Sequence, residues 1–174
     1  MNESNSLLII TASNGENLKL AERFADLANK RGLKPELVDL TSLELPIFNP
    51  RVHQNQGIPA EIKSLNAKMV ALPRWIICAP EYNGSIPPLL TSAIAWLSVQ
   101  DSDFRNLFNG RPIALASFSG GGCMEVLISM RIQLSHLGAQ VVGRQLTSNK
   151  NKPASDDAME DLLNRLMQMK PLEL

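Results

Sequence analysis

Five short apolar runs, each followed by a stretch of helical periodicity, predict an α/β protein: a three-layer α/β/α sandwich around a five-stranded parallel sheet. Three observations carry this. Strand and helix alternate along the whole chain, and alternation of this kind builds parallel sheets with right-handed crossovers. The strand candidates read as continuous apolar runs, as strands buried on both faces do. The chain has 174 residues with no linker, repeat or low-complexity segment, so residues 1–174 are expected to form a single domain.

The elements follow in order. Leu7 to Ile10 is the first strand, ending in a turn from Thr11 to Gly15. Apolar residues recur at helical spacing from Leu18 to Arg31, and Gly32 sits where a helix C-cap belongs. Glu36 to Leu40 is the second strand. An irregular stretch from Thr41 to Gly57 holds Pro46 and Pro50. The second helix covers Pro59 to Ala71, with a proline in its first turn. Arg74 to Ala79 is the third strand, Leu89 to Leu97 the third helix, and Pro112 to Ser117 the fourth strand. Met124 to Leu137 is a helix with apolar residues over more than half its surface, suited to core or to a dimer face, and Gly138 ends it. Gln140 to Leu146 is expected to be one fifth strand. Asp156 to Met169 closes the chain as an amphipathic helix, with Asp156 and Asp157 in its first turn favourable to the helix dipole.

Composition narrows the function. Lysine plus arginine (17) equals aspartate plus glutamate (17), which gives no general attraction to nucleic acid or to an anionic membrane. The same balance counts against a small acidic electron carrier. Cys78 and Cys123 lack metal-ligand spacing and read as free thiols in a reducing cytoplasm. The N-terminus, Met1 to Ser6, has no basic region before its short apolar run, so no signal peptide is expected. His53 and His136 are far apart, and His136, near a helix end, is expected to cap or to be solvated. Gly-x-Ser-x-Gly and the P-loop pattern are both absent, so neither a nucleophile elbow nor an NTPase is expected.

In an open parallel sheet, ligands bind beyond the carboxyl ends of the strands, where strand order reverses. For the order 2-1-3-4-5 that point lies between strands 1 and 3, so the loops after strands 1, 3 and 4 are the candidates. The first runs from Thr11 to Asn17 into a helix, where free N–H groups and the dipole suit a phosphate. Thr11, Ser13, Asn14 and Asn17 can add side-chain hydrogen bonds around Gly15; Ser13 or Asn14 can equally be an ordinary N-cap. The second runs from Pro80 to Pro87. N–H groups around Asn83 and Gly84 can meet ring acceptors and Tyr82 can pack on a ring, or Asn83-Gly84 is a plain turn. The third, Ser117 to Gly122, offers three glycines that let main chain lie against a ligand, or serves as a flexible connection.

The segment from Pro80 to Pro87 (Pro-Glu-Tyr-Asn-Gly-Ser-Ile-Pro), followed by Ala93 to Ser98, resembles the signature of the NADPH-dependent FMN reductase family, whose members reduce flavins, quinones, azo dyes and chromate. Gly110 to Gly121 is similar to that family's fourth strand and loop, and the resemblance covers roughly residues 6–146. It implies a flavodoxin-like fold, bound FMN with its phosphate in the first loop, and NADPH or NADH as co-substrate. It implies that Pro80, Glu81, Tyr82, Asn83 and Gly84 line the flavin ring and that Ser117, Ser119, Gly120 and Gly121 border its other edge. It also implies a homodimer or homotetramer. The family's first loop reads Gly-Ser-x-Arg-x-x-Ser-x-Asn. Here Thr11-Ala12 replaces Gly-Ser, the family arginine is missing, Asn17 matches the asparagine, and Glu16 lies beside it. Two other classes stay open at this stage: a flavodoxin-like electron carrier, and a flavin-free binding or regulatory protein on the same fold.

Overall fold

The computed structural model describes residues 5–173. Met1 to Ser4, on which most of the N-terminal expectation rests, lie outside them.

Six strands form one parallel sheet: β1 (Ser6–Thr11), β2 (Lys34–Asp39), β3 (Trp75–Cys78), β4 (Pro112–Phe118), β5 (Gln140–Val141) and β6 (Leu146–Ser148). Their order is β2-β1-β3-β4-β5, with β6 also on β4. This is the expected order with one correction. The single fifth strand is two short ones. Val141 pairs with Ile113 and Leu146 with Ala116, five positions along one strand against three along the other. The surplus loops out at Gly143 and Arg144, where Arg144 forms an ion pair with Asp161, as extra residues do in a bulge.

Alternate side chains of the sheet feed two cores. Leu7 and Ile9 of β1 and Ile76 of β3 face α1 (Glu16–Lys30) and α6 (Asp156–Gln168) through Phe24, Leu162 and Leu163. Leu8, Ile10 and Ile77 face the opposite layer. That layer is α3 (Ala60–Ala71), α4 (Pro88–Ser98) and α5 (Met124–His136), meeting the sheet through Ile62, Trp96 and Leu127. Phe24 is fully buried, and truncating such a side chain to alanine costs about 3–5 kcal/mol. Helix α1 ends on Gly32 at φ +72°, with Gly32 N–H donating to Asn29 O and Leu33 N–H to Ala28 O. A left-handed residue there closes the helix without a Cβ penalty.

The stretch from Thr41 to Gly57 is not wholly irregular. It holds a 3-10 turn (Leu40–Ser42) and a short helix, α2 (Pro50–Gln56). Asn49 caps α2 by accepting from Arg51 N–H, and Pro50 takes the first turn. No residue of α2 is fully buried, so its sequence shows no apolar period. His136 is exposed, its ring stacked on Phe104 at 6.1 Å. Among the described residues, no helix is long and apolar enough to cross a membrane.

Candidate cofactor site

The register Thr11↔Cys78 and Cys78↔Ala116 brings the ends of β1 and β3 level, with β4 running on to Phe118 beside them. Their three loops therefore emerge side by side at one edge of the sheet. They surround an open pocket of about 290 Å³, with walls from Ser13, Asn14, Gly15, Glu16, Asn17, Pro80, Glu81, Tyr82, Phe118, Ser119 and Gly120.

One end of the pocket is the start of α1. Neither Ser13 nor Asn14 caps the helix; the N-cap is Gly15, with no side-chain hydrogen bond. Leu18 and Lys19 N–H donate to Gly15 O, while the N–H groups of Asn14, Gly15, Glu16 and Asn17 meet no acceptor among the described residues. A row of free donors at the positive end of a helix dipole is the chemistry that holds a phosphate. Two of the expected side-chain ligands have other work. The Thr11 hydroxyl is buried, donates to Ser13 O at 2.9 Å and accepts from Ser13 N–H at 3.4 Å, so it shapes the loop. The Asn17 amide donates to Phe118 O at 2.9 Å and accepts from Phe118 N–H at 2.8 Å. It clamps the first loop to the end of β4. The Glu16 carboxylate is exposed and lies 2.7 Å from Lys19 Nζ.

The other end of the pocket is a tight hairpin. Tyr82 N–H donates to Ser85 O and Ser85 N–H to Tyr82 O, at 3.1 and 3.0 Å. Asn83 and Gly84 between them have φ +52° and +69°, the pattern of a two-residue turn that needs positive φ twice. The segment is a turn, and among the described residues the Asn83 and Gly84 N–H groups meet no protein acceptor. Tyr82 is half exposed against the pocket.

The glycine loop makes the far wall. Ser119 N–H is held by Ser148 O of β6, and the Ser119 hydroxyl accepts from Gly121 N–H at 3.2 Å. Ser117 is fully buried, and its Oγ has no hydrogen-bond partner among the described residues. Glu81 ties this loop to the hairpin. Its Oε2 accepts from Val126 N–H at 3.4 Å, in the first turn of α5, and a Cβ on Gly121 would lie 3.6 Å from its Oε1.

The structure thus gathers Ser13, Asn14, Gly15, Asn17, Pro80, Glu81, Tyr82, Ser119 and Gly120 into the pocket wall. It leaves Thr11, Asn83, Gly84, Ser117 and Gly121 outside that wall, on the same three loops. Two wall residues lay outside the expected set. Phe118 sits between two serines of the third loop and contributes through its position beside the Asn17 clamp; Glu16 was visible only as a charge beside Asn17. Burial pushes the Cys78 thiol far above its usual range, so Cys78 is inert packing rather than a nucleophile.

The donor set fits FMN: free N–H groups for a phosphate at the α1 end, free N–H groups and an aromatic face at the hairpin end. The model of the NADPH-dependent FMN reductase family matches residues 6–152. A quinone reductase of Escherichia coli (strain K12) is 27% identical over 125 residues, covering 67% of this chain and 64% of the relative. The match therefore spans less than two thirds of that relative's length. Among solved structures, FerB, a flavoenzyme NAD(P)H:(acceptor) oxidoreductase from Paracoccus denitrificans, superposes with a TM-score of 0.73 at 19% identity, covering 93% of this chain and 95% of FerB. An azoreductase from Bacillus anthracis str. Sterne gives a TM-score of 0.61 at 16% identity, covering 93% and 95%. These structures establish the flavodoxin-like fold, and the family model, matched over most of the sequence, establishes more: the chain belongs to the NADPH-dependent FMN reductase family.

Proposed function

We propose that this protein is an FMN-dependent NAD(P)H oxidoreductase that passes electrons from a nicotinamide through bound FMN to a flavin, quinone or azo-type acceptor. The observation that carries the reading is one pocket with an uncapped helix N-terminus at one end and, at the other, Tyr82 of a hairpin whose next two N–H groups meet no acceptor among the described residues. The names of the relatives, quinone reductase and azoreductase, support the acceptor class. FMN, when bound, supplies the acceptance of a hydride and its delivery to the acceptor. The chain's own residues bind and orient. The N–H groups of Asn14 to Asn17 take the phosphate, with Ser13 beside them. The N–H groups of Asn83 and Gly84 take the polar edge of the ring, and Tyr82 bounds the face on which it stacks. Ser119 and Gly120 close the opposite edge. No side chain is assigned a proton transfer.

A homodimer is part of this reading. Met124, Ile128 and Ile132 stand exposed at successive four-residue steps along α5, an apolar stripe of the kind that marks an interface. Ile128→Glu is expected to leave a monomer by sedimentation. The buried free thiols support a reducing, cytoplasmic setting.

The direct test is the flavin absorbance of the purified protein before and after FMN is added, followed by NADPH and NADH oxidation with a quinone. A yellow protein that oxidises either nicotinamide is expected. Flavin uptake without nicotinamide oxidation would make it a carrier, and a protein that takes up no FMN would overturn the reading.

A further inference from the structure

Helix α1 begins in the pocket wall, helix α5 is tied to that wall through Glu81, and the two starts are finished differently. Helix α1 starts at Gly15 with no side-chain cap and with its first N–H groups unpartnered. Helix α5 starts at Cys123, which holds φ +62° and offers no side-chain cap either. The N–H groups of Met124 and Glu125 meet no acceptor among the described residues, so this end too has donors to spare. By donor count alone either helix end can take an anion.

Glu81 breaks the tie. It lines the pocket from the loop after β3, and its Oε2 accepts from Val126 N–H, the third residue of α5. That is the bond an N-cap side chain ordinarily makes, supplied here by a residue 45 positions away. The bond holds the Glu81 carboxylate at the positive end of α5. An anion placed there would meet a carboxylate within contact range. Glu125, also in the first turn of α5, is exposed, as is Glu16 in the first turn of α1, where Lys19 pairs with it. Neither distinguishes the two ends. The Glu81 carboxylate does.

We infer that Glu81 is a specificity-determining residue that closes the α5 end to anions and so commits the phosphate of the bound nucleotide to the α1 end. The pocket then accepts a long ligand in one polarity only. This rests on the reading of the pocket as an FMN site, but the test does not need FMN.

The probe is inorganic phosphate, titrated at constant ionic strength into the wild type, E81Q and E81A, with backbone amide shifts followed by NMR. In the wild type, the amides of residues 14–17 are expected to respond, and those of residues 124–126 to stay still. In E81A, the second group responds as well, and the preference for the α1 end falls from at least about tenfold to about threefold or less, the scale of one close charge at a helix end. E81Q keeps an acceptor for Val126 N–H without the charge, so it opens the second site more weakly and remains informative if E81A does not fold. Equal response of both groups in the wild type overturns the inference, and so does a silent 124–126 group in both variants. A wild type whose residues 14–17 stay still counts against the FMN placement instead. The contrast at 124–126 still decides the role of Glu81.

Discussion

The two ends of the pocket are built on different length scales. The hairpin end is local: Tyr82 and Ser85 bond each other, and the conformation is fixed by two consecutive residues with positive φ. The α1 end is assembled from a distance. Asn17 reaches Phe118, 101 positions along the chain, and that clamp ties the first loop to the end of β4. A local device is carried by a contiguous motif and can be recognised as one. A distributed device has no motif, because its partner is a main-chain group whose residue type does not matter.

The sharpest way to break this contrast is Asn17→Ala. It strips both partners from the Phe118 backbone in a part-buried setting, and leaving such groups unpaired costs on the order of 3 kcal/mol in total. For a chain of this size that lowers Tm by about 6–12 °C, and the loosened loop weakens FMN as well. A melt within a degree or two of the wild type would show that the clamp is not what holds the α1 end together.

Gly84→Val tests the local end. A β-branched residue at φ +69° is strained although no protein atom lies within 4 Å of the position. The strain of about 2 kcal/mol falls on the hairpin alone, so FMN affinity drops about thirtyfold while the melt changes much less than for Asn17→Ala. If the variant keeps its flavin as the wild type does, the hairpin is not a ring-binding element. The two variants together separate the ends: one moves stability first, the other affinity first.

The same distinction explains what the sequence disclosed. Leu7 to Ile10 and Trp75 to Ala79 announce buried strands because both faces of the sheet are covered, so every position is apolar. The hairpin announced itself through Asn83-Gly84, a pair suited to positive φ. Helix α2 stayed hidden because none of its residues is fully buried, and period is written only by a buried face. The break between β5 and β6 stayed hidden because Val141, Val142 and Leu146 are all apolar; only the pairing with β4 shows that Gly143 and Arg144 leave the ladder. Within the site, the residue types at Thr11 and Asn17 suit ligand donors and loop supports equally well. Which they are is decided by Ser13 and Phe118, and a spacing of 101 residues leaves no local trace.

The smallest expected effect sharpens the comparison from the α1 side. Glu16 supplies a free N–H to the pocket while its carboxylate stands in the first turn of α1, paired with Lys19 and exposed. A carboxylate there favours the helix dipole and disfavours a phosphate, so the two properties should move in opposite directions in Glu16→Gln. The helix loses a few tenths of a kcal/mol. The phosphate meets one negative charge fewer, and Lys19 is released from its partner, so FMN binds about twofold tighter at low salt. The gain should vanish by 0.5 M salt, where exposed charges are screened over a few ångströms. Binding isotherms at two salt concentrations measure it. Affinity that falls with the charge removed would mean that the phosphate does not lie at the start of α1, and the polarity of the whole pocket would have to be reversed.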